Sequence, residues 1–176
     1  MRILPLFALP LAAALAGCAS MTPADFHQGQ PPMALEDYFN GKSQAYGLFF
    51  GRSGDVGRQF KVAMSGHWDA ASQILKLDED FTYDDGERQQ RHWIFHKVGP
   101  NDYEGTAPDI IGVAHGHADG NAYEMHYTAD VKRGDGTVRL DFDDWLFRQS
   151  DNVVLNNSRA SKFGIEVGQV QLVFIR

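Results

Sequence analysis

Two carboxylates stand where the alternation of side chains calls for apolar residues. In "FDDWLF" (Phe142 to Phe147), counting back by twos from Leu146 gives Asp144, Phe142, Leu140 and Val138, so Asp144 shares its strand face with four apolar neighbours. The second carboxylate emerges from a hairpin, "SQILKLDEDFTYDDGERQQRHWIFHK". A two-residue Asp85-Gly86 turn would set Trp93 and Phe95 opposite Asp78 and Lys76. A three-residue Asp84-Asp85-Gly86 loop pairs Leu75 with Phe95, Leu77 with Trp93 and Glu79 with Arg91, and it gathers the apolar residues on one face. The second register is expected, because a one-residue slip would expose every large side chain. Glu79 then lies on the face of Leu75, Leu77 and Phe81, with Arg91 as its cross-strand partner.

A buried charge persists only when paired and hydrogen-bonded. Two chemistries meet that condition. Each carboxylate could belong to a satisfied ion pair near a barrel end, or both could fix the polar end of an otherwise apolar ligand in a cavity. For the cavity, the candidate ligand-binding residues are Glu79, Arg91, Trp93, Tyr127, Asp144, Trp145 and Lys162. Glu79 and Asp144 could also act as an acid/base pair on such a molecule, with pKa values split by environment.

Other chemistry is thinly represented. Among seven histidines, His115 and His117 share one strand face and His92 and His96 another, but no third or fourth ligand completes a closed metal site. Surface positions are expected for them. Neither a G-x-S-x-G elbow, a phosphate loop nor an H-E-x-x-H motif occurs, and Ser158 and Ser161 near Lys162 do not make a nucleophile by themselves. The sequence implies no cofactor and no metal.

The elements that must position these residues are strands. Eighteen glycines, twelve Phe and a 43% apolar fraction in 176 residues fit one domain with a substantial core. Ten alternating segments, from "YGLFFG" to "IEVGQVQLVFI", are separated by turn signals such as Asp85-Gly86, Gly99-Pro100, Asp119-Gly120 and Asp135-Gly136. Eight to ten strands joined by hairpins predict an all-β antiparallel meander that closes into a lipocalin-like barrel or half-barrel, with a β-sandwich as the alternative. In "MALEDYFNGK", Leu35, Tyr38 and Phe39 fall at helical spacing, and Gly41 is the expected C-cap of one short N-terminal helix. Gly66-His67-Trp68 resembles the G-x-W of lipocalins but follows the second strand instead of the first.

The chain opens with a basic Arg2 and an apolar run from Ile3 to Ala16, the pattern of a secretory signal. Leu15-Ala16-Gly17-Cys18 resembles the bacterial lipobox, and Cys18, the lone cysteine, is the expected lipidation site. The expected division is residues 1–17 as lipoprotein signal peptide, 18–33 as lipidated cysteine and flexible tether, and 34–176 as a single barrel-like domain. By resemblance to the lipoprotein sorting rule, Ala19 and Ser20 point to the outer membrane, facing the periplasm. The expected partners are that membrane, through the anchor, and a hydrophobic small molecule. A net charge of -7 argues against nucleic acid.

Four blocks, "LDEDFTYDDGERQQRHW", "YEGTAPDIIGVAHGHADGNA", "LDFDDWLF" and "SKFGIEVGQVQLVF", resemble in order the bacterial lipoprotein family catalogued as domain of unknown function 3833. The resemblance implies a small envelope protein and supplies no activity. Three functions remain open from sequence: a module binding a hydrophobic or lipid-like molecule, an enzyme acting on one through Glu79 and Asp144, and a filled barrel with a structural or interaction role.

Overall fold

The computed structural model describes residues 20–134 and 136–176. The signal segment and Cys18 lie outside the described residues. Ten strands follow one another around a closed antiparallel barrel, each paired to its neighbours in sequence, and β1 (Gly41–Gly51) closes the ring on β10 (Ile165–Ile175). Between them run β2 (Val56–Asp69), β3 (Ile74–Tyr83), β4 (Arg88–Lys97), β5 (Asp102–Thr106), β6 (Ile110–Asp119), β7 (Ala122–Arg133), β8 (Gly136–Arg148) and β9 (Val153–Lys162). All ten alternating segments of the sequence are strands, and the barrel, not the sandwich, is formed.

The β3–β4 hairpin adopts the expected register: Leu75 faces Phe95, Leu77 faces Trp93, and Glu79 faces Arg91. Its loop is Asp84-Asp85-Gly86, closed by the Tyr83 N–H donating to the Glu87 carbonyl at 3.0 Å. Gly86 holds φ +87°, a left-handed conformation that glycine takes without strain.

One end of the barrel is shut by the short helix α1 (Leu35–Tyr38). Leu35, Tyr38 and the following Phe39 are all buried and press inward as the 3.6-residue spacing predicts. Phe39 is the C-cap, and Gly41, expected in that role, lies two residues further on as the first residue of β1. Polar contacts stitch the helix to several strand ends. The Tyr38 hydroxyl donates to the Asn152 and Phe174 carbonyls, Lys97 donates to Glu36 at 2.5 Å, and Arg148 donates to Asp37 at 2.6 Å. Lys97 and the Tyr103 hydroxyl together hold the Glu36 carboxyl below its ordinary range, against the opposing effect of burial. Gly66 permits the fit, since a Cβ there would stand 1.8 Å from the Phe39 carbonyl oxygen.

The expected flexible tether is corrected by the structure. Residues from Thr22 onward form a packed strap, including a 3-10 turn at Pro23–Phe26, against β6 and β7. Pro23 and Met33 are buried, the Met33 N–H donates to the Gly120 carbonyl at 2.8 Å, and Phe26 meets Trp145 and Phe147 edge-on with ring centroids 6.2 and 5.1 Å away. Its proline and aromatic rings bury apolar surface that a solvated linker would leave in water, which is why the segment docks.

Candidate functional site

The opposite end of the barrel is its mouth. Inside lies a cavity of about 960 Å³, with Leu35 and Phe39 at its floor. Ten strands enclose more room than the eight whose interior side chains alone can fill, so this barrel is hollow. Its wall is largely apolar and aromatic: Trp93 stacks on Phe95, its edge meets Tyr127 at 5.7 Å, and Tyr127 stacks on Phe142 at 4.9 Å.

A polar cluster interrupts that wall. Asp144 enters from β8, on the same inward face as Val138, Leu140, Phe142 and Leu146. Its carboxylate accepts from Asn156 Nδ2 and, at 3.5 Å, from the Tyr127 hydroxyl. Asn156 is itself fixed by donating to the Trp145 carbonyl at 2.9 Å. Glu79 enters from β3 and Arg91 from the facing position on β4. The guanidinium, however, gives its hydrogen bond to Asp109 at 2.6 Å, not to Glu79. The β4–β5 register explains this: Ile94 faces Thr106, and continuing the antiparallel register, three residues back from Ile94 and three on from Thr106, brings Arg91 to Asp109, in the loop that follows the short β5.

Charge and burial set the acidity of the cluster. Burial pushes Glu79 up to about 7, opposed by Arg91 and reinforced by Asp144 and Asp109. Burial likewise pushes Asp144 up to about 6, opposed by Asn156, Arg91 and Tyr127. Tyr127 is driven well above its ordinary value, by burial first and Asp144 second, so it remains a phenol and a donor. The site is nevertheless reached by solvent, since Arg91 and Asp109 keep 21% and 23% of their side-chain surface exposed. Arg91 Nε, Asp109 Oδ1 and the Tyr123 hydroxyl are shielded atoms without a hydrogen-bond partner among the described residues.

Of the residues singled out from sequence, Glu79, Arg91, Trp93, Tyr127 and Asp144 converge on the cavity, and Lys162 lines it near the mouth, its ammonium 5.5 Å from the Phe163 ring centre. Trp145 does not. It points to the outer face, where it stacks on Phe147 under Phe26 and donates its indole N–H to Asp143 at 2.9 Å. Alternation decides this: neighbours on a strand face opposite sides. Asn156, not singled out from the sequence, and Ser158, weighed there only as a nucleophile, follow Val154 by twos on the inward face of β9 and were legible as cavity residues by the same count. Asp109, in a loop, carries no such periodic signal.

The histidines lie outside. His115 and His117 are 71% and 49% exposed, and His117 is 2.7 Å from Asp102. Glu124, His126 and Asp143 form one outer-face grouping of metal-type donors, but Arg159 and Trp145 already occupy the Asp143 carboxylate.

Comparisons place the barrel among known folds. The S-type phycobiliprotein lyase CPES from Guillardia theta superposes with a TM-score of 0.59 at 10% identity, over 82% of this chain and 93% of that one. A de novo designed fluorescence-activating β-barrel matches with a TM-score of 0.40 at 14% identity, over 82% of this chain and 99% of the design. No curated protein sequence matches the chain significantly. The family model described as "Protein of unknown function (DUF3833)" matches residues 12–176, and the chain belongs to that family.

Proposed function

We propose that this protein is a binding barrel for a hydrophobic small molecule, held at the outer membrane through a lipidated Cys18 and facing the periplasm. The observation that carries the binding reading is the cavity of about 960 Å³, apolar over most of its wall and polar at one convergent cluster. A filled barrel would have no such space. The fold shared with a phycobiliprotein lyase is compatible with the reading. The anchor rests on the sequence from Leu15 to Cys18.

Native mass spectrometry of protein purified from its own host tests the binding. A co-purifying hydrophobic adduct, lost on mild denaturation, is the expected result. Absence of any adduct, with no uptake of a solvatochromic dye by the purified barrel, overturns it.

One observation favours a second reading, an enzyme acting on such a molecule. Glu79 and Asp144 share the cavity with acidities near neutrality, which suits proton transfer at physiological pH. Conversion of the co-purifying molecule by protein, and loss of that conversion in Asp144→Asn, would establish the enzyme.

A further inference from the structure

The chemistry of the cavity's ligand follows from what each charged group inside already holds, given that the cavity binds a small molecule at all. Three carboxylates, Glu79, Asp109 and Asp144, line the interior, with the Arg91 guanidinium among them. Asp109 takes the Arg91 hydrogen bond, and the pair is consistent with a wall-spanning structural contact between β4 and the β5–β6 loop. Neither Glu79 nor Asp144 has a cationic nitrogen within 4 Å among the described residues. Of the cations that line the mouth, Arg58 is bound by Asp85 and Glu87 and Lys132 lies 3.5 Å from Glu87, while Arg52 and Lys162 come within 4 Å of neither Glu79 nor Asp144. Two acceptors with no cation in contact therefore share a largely apolar chamber. The aromatic rings of Trp93, Tyr127, Phe81 and Phe142 line the same chamber, and the Phe81 and Trp93 rings already lie 5.9 Å from the Arg91 guanidinium, the kind of contact in which a ring quadrupole attracts positive charge.

We infer that the cavity selects a cationic amphiphile, a hydrophobic molecule whose polar end is a protonated nitrogen, with Glu79 and Asp144 as its counter-charges. A protonated amine brings the missing cation and up to three donors, and its hydrocarbon part covers the apolar wall. An anionic amphiphile such as a fatty acid meets two carboxylates of its own sign in a partly desolvated space. An uncharged alcohol keeps the apolar contact but brings no charge.

The test uses the full chain carrying Cys18→Ser, so that no acyl group competes, and three probes of equal chain length: dodecylamine, dodecanol and dodecanoic acid. Each displaces Nile red from the barrel below its micelle concentration. At about pH 8 the amine is expected to compete at roughly tenfold lower concentration than the alcohol, with the acid weakest. The charged and titratable groups facing the two carboxylates are Arg91 on β4, Asp109 in the β5–β6 loop and Tyr123 and Tyr127 on β7. The arginine and the two phenols keep their charge state between about pH 8 and pH 5, as does the amine, so protonation of Glu79 and Asp144 in that range should erode the amine's advantage. The pH series needs no variant that might misfold; a Glu79→Gln, Asp144→Asn double variant, checked by circular dichroism, should narrow the gap between amine and alcohol. A fatty acid that binds as tightly as the amine, or an amine preference indifferent to pH, overturns the inference while leaving a binding barrel intact. Failure of the barrel to take up the dye and all three probes overturns the binding reading, and this one with it.

Discussion

Asp144 and Trp145, adjacent in sequence, stand on opposite sides of the barrel wall. Asp144 reaches Asn156 and Tyr127 inside, and Trp145 lies outside beneath Phe26. The apolar residues of both parities in "FDDWLF" therefore serve two surfaces, a cavity wall and the seat of the strap.

The strap can be tested through its aromatic contact. Phe26→Ala should destabilise the protein by about 1 to 3 kcal/mol, below the range for a fully buried Phe because the ring is only half-buried. It should also expose Trp145, seen as a red-shifted emission with greater acrylamide quenching. Unchanged stability and emission would mean that the strap contributes no contact of consequence.

Arg91 has two acidic neighbours, and a double-mutant cycle separates them. Arg91→Met alone should cost about 2 to 4 kcal/mol by stranding Asp109, and adding Asp109→Asn should recover more than half. Adding Glu79→Gln instead should recover less. Denaturant melts read the cycle, and the reverse order would make Glu79 the structural partner.

Glu79 gives the protein an uncommon pH dependence. The folded state holds this proton up to about pH 7, whereas an ordinary carboxyl releases it near 4.5. Folded protein thus binds more protons between those values, and stability falls as pH rises through the window. The contribution is whole below about 4.5 and lost above about 7. Asp144 acts in the same sense up to about 6. Glu36, held below its ordinary range, acts oppositely and loses its contribution only in acid. Glu79→Gln should flatten the fall, which is expected to be roughly 1 to 3 kcal/mol because water reaches the cavity. Thermal melts from pH 4.5 to 8 measure it, and a wild-type profile that rises across this range would contradict a raised Glu79.

The proposed anchor makes the fourth prediction. Cys18→Ser should abolish acylation and release the protein from membranes, as followed by fractionation at high salt with mass measurement. A variant that still sediments with outer membranes would exclude Cys18 as the anchor.

Much of this architecture can be read from the chain because strands write themselves in period two and turns in Gly and Asp. The β3–β4 register was legible for a further reason: only one loop length gathered Leu75, Leu77, Trp93 and Phe95 on a single face. Where periodicity stops, so does legibility. Asp109 sits in a loop, so its claim on Arg91 depends on a neighbouring strand's register. The strap looks like a linker because Pro, Gly and Gln dominate it, and its few apolar residues acquire meaning only once Trp145 and Phe147 are known to form an outer apolar patch. Trp145, expected among the ligand-binding residues, follows Asp144 directly in sequence, and alternation alone places it outside.

The docked strap would also set which way the cup opens, were Cys18 acylated as proposed. It lies beside the β6–β7 turn and the end shut by α1, and only Ala19 to Met21 separate its first residue, Thr22, from Cys18, a reach of at most roughly 14 Å. A chain acylated at Cys18 would consequently stand on its closed base, with the mouth turned away from the bilayer that holds it. Cargo would enter and leave on the aqueous side, and exchange with the anchoring leaflet would require the barrel to tip over or the strap to peel from β8.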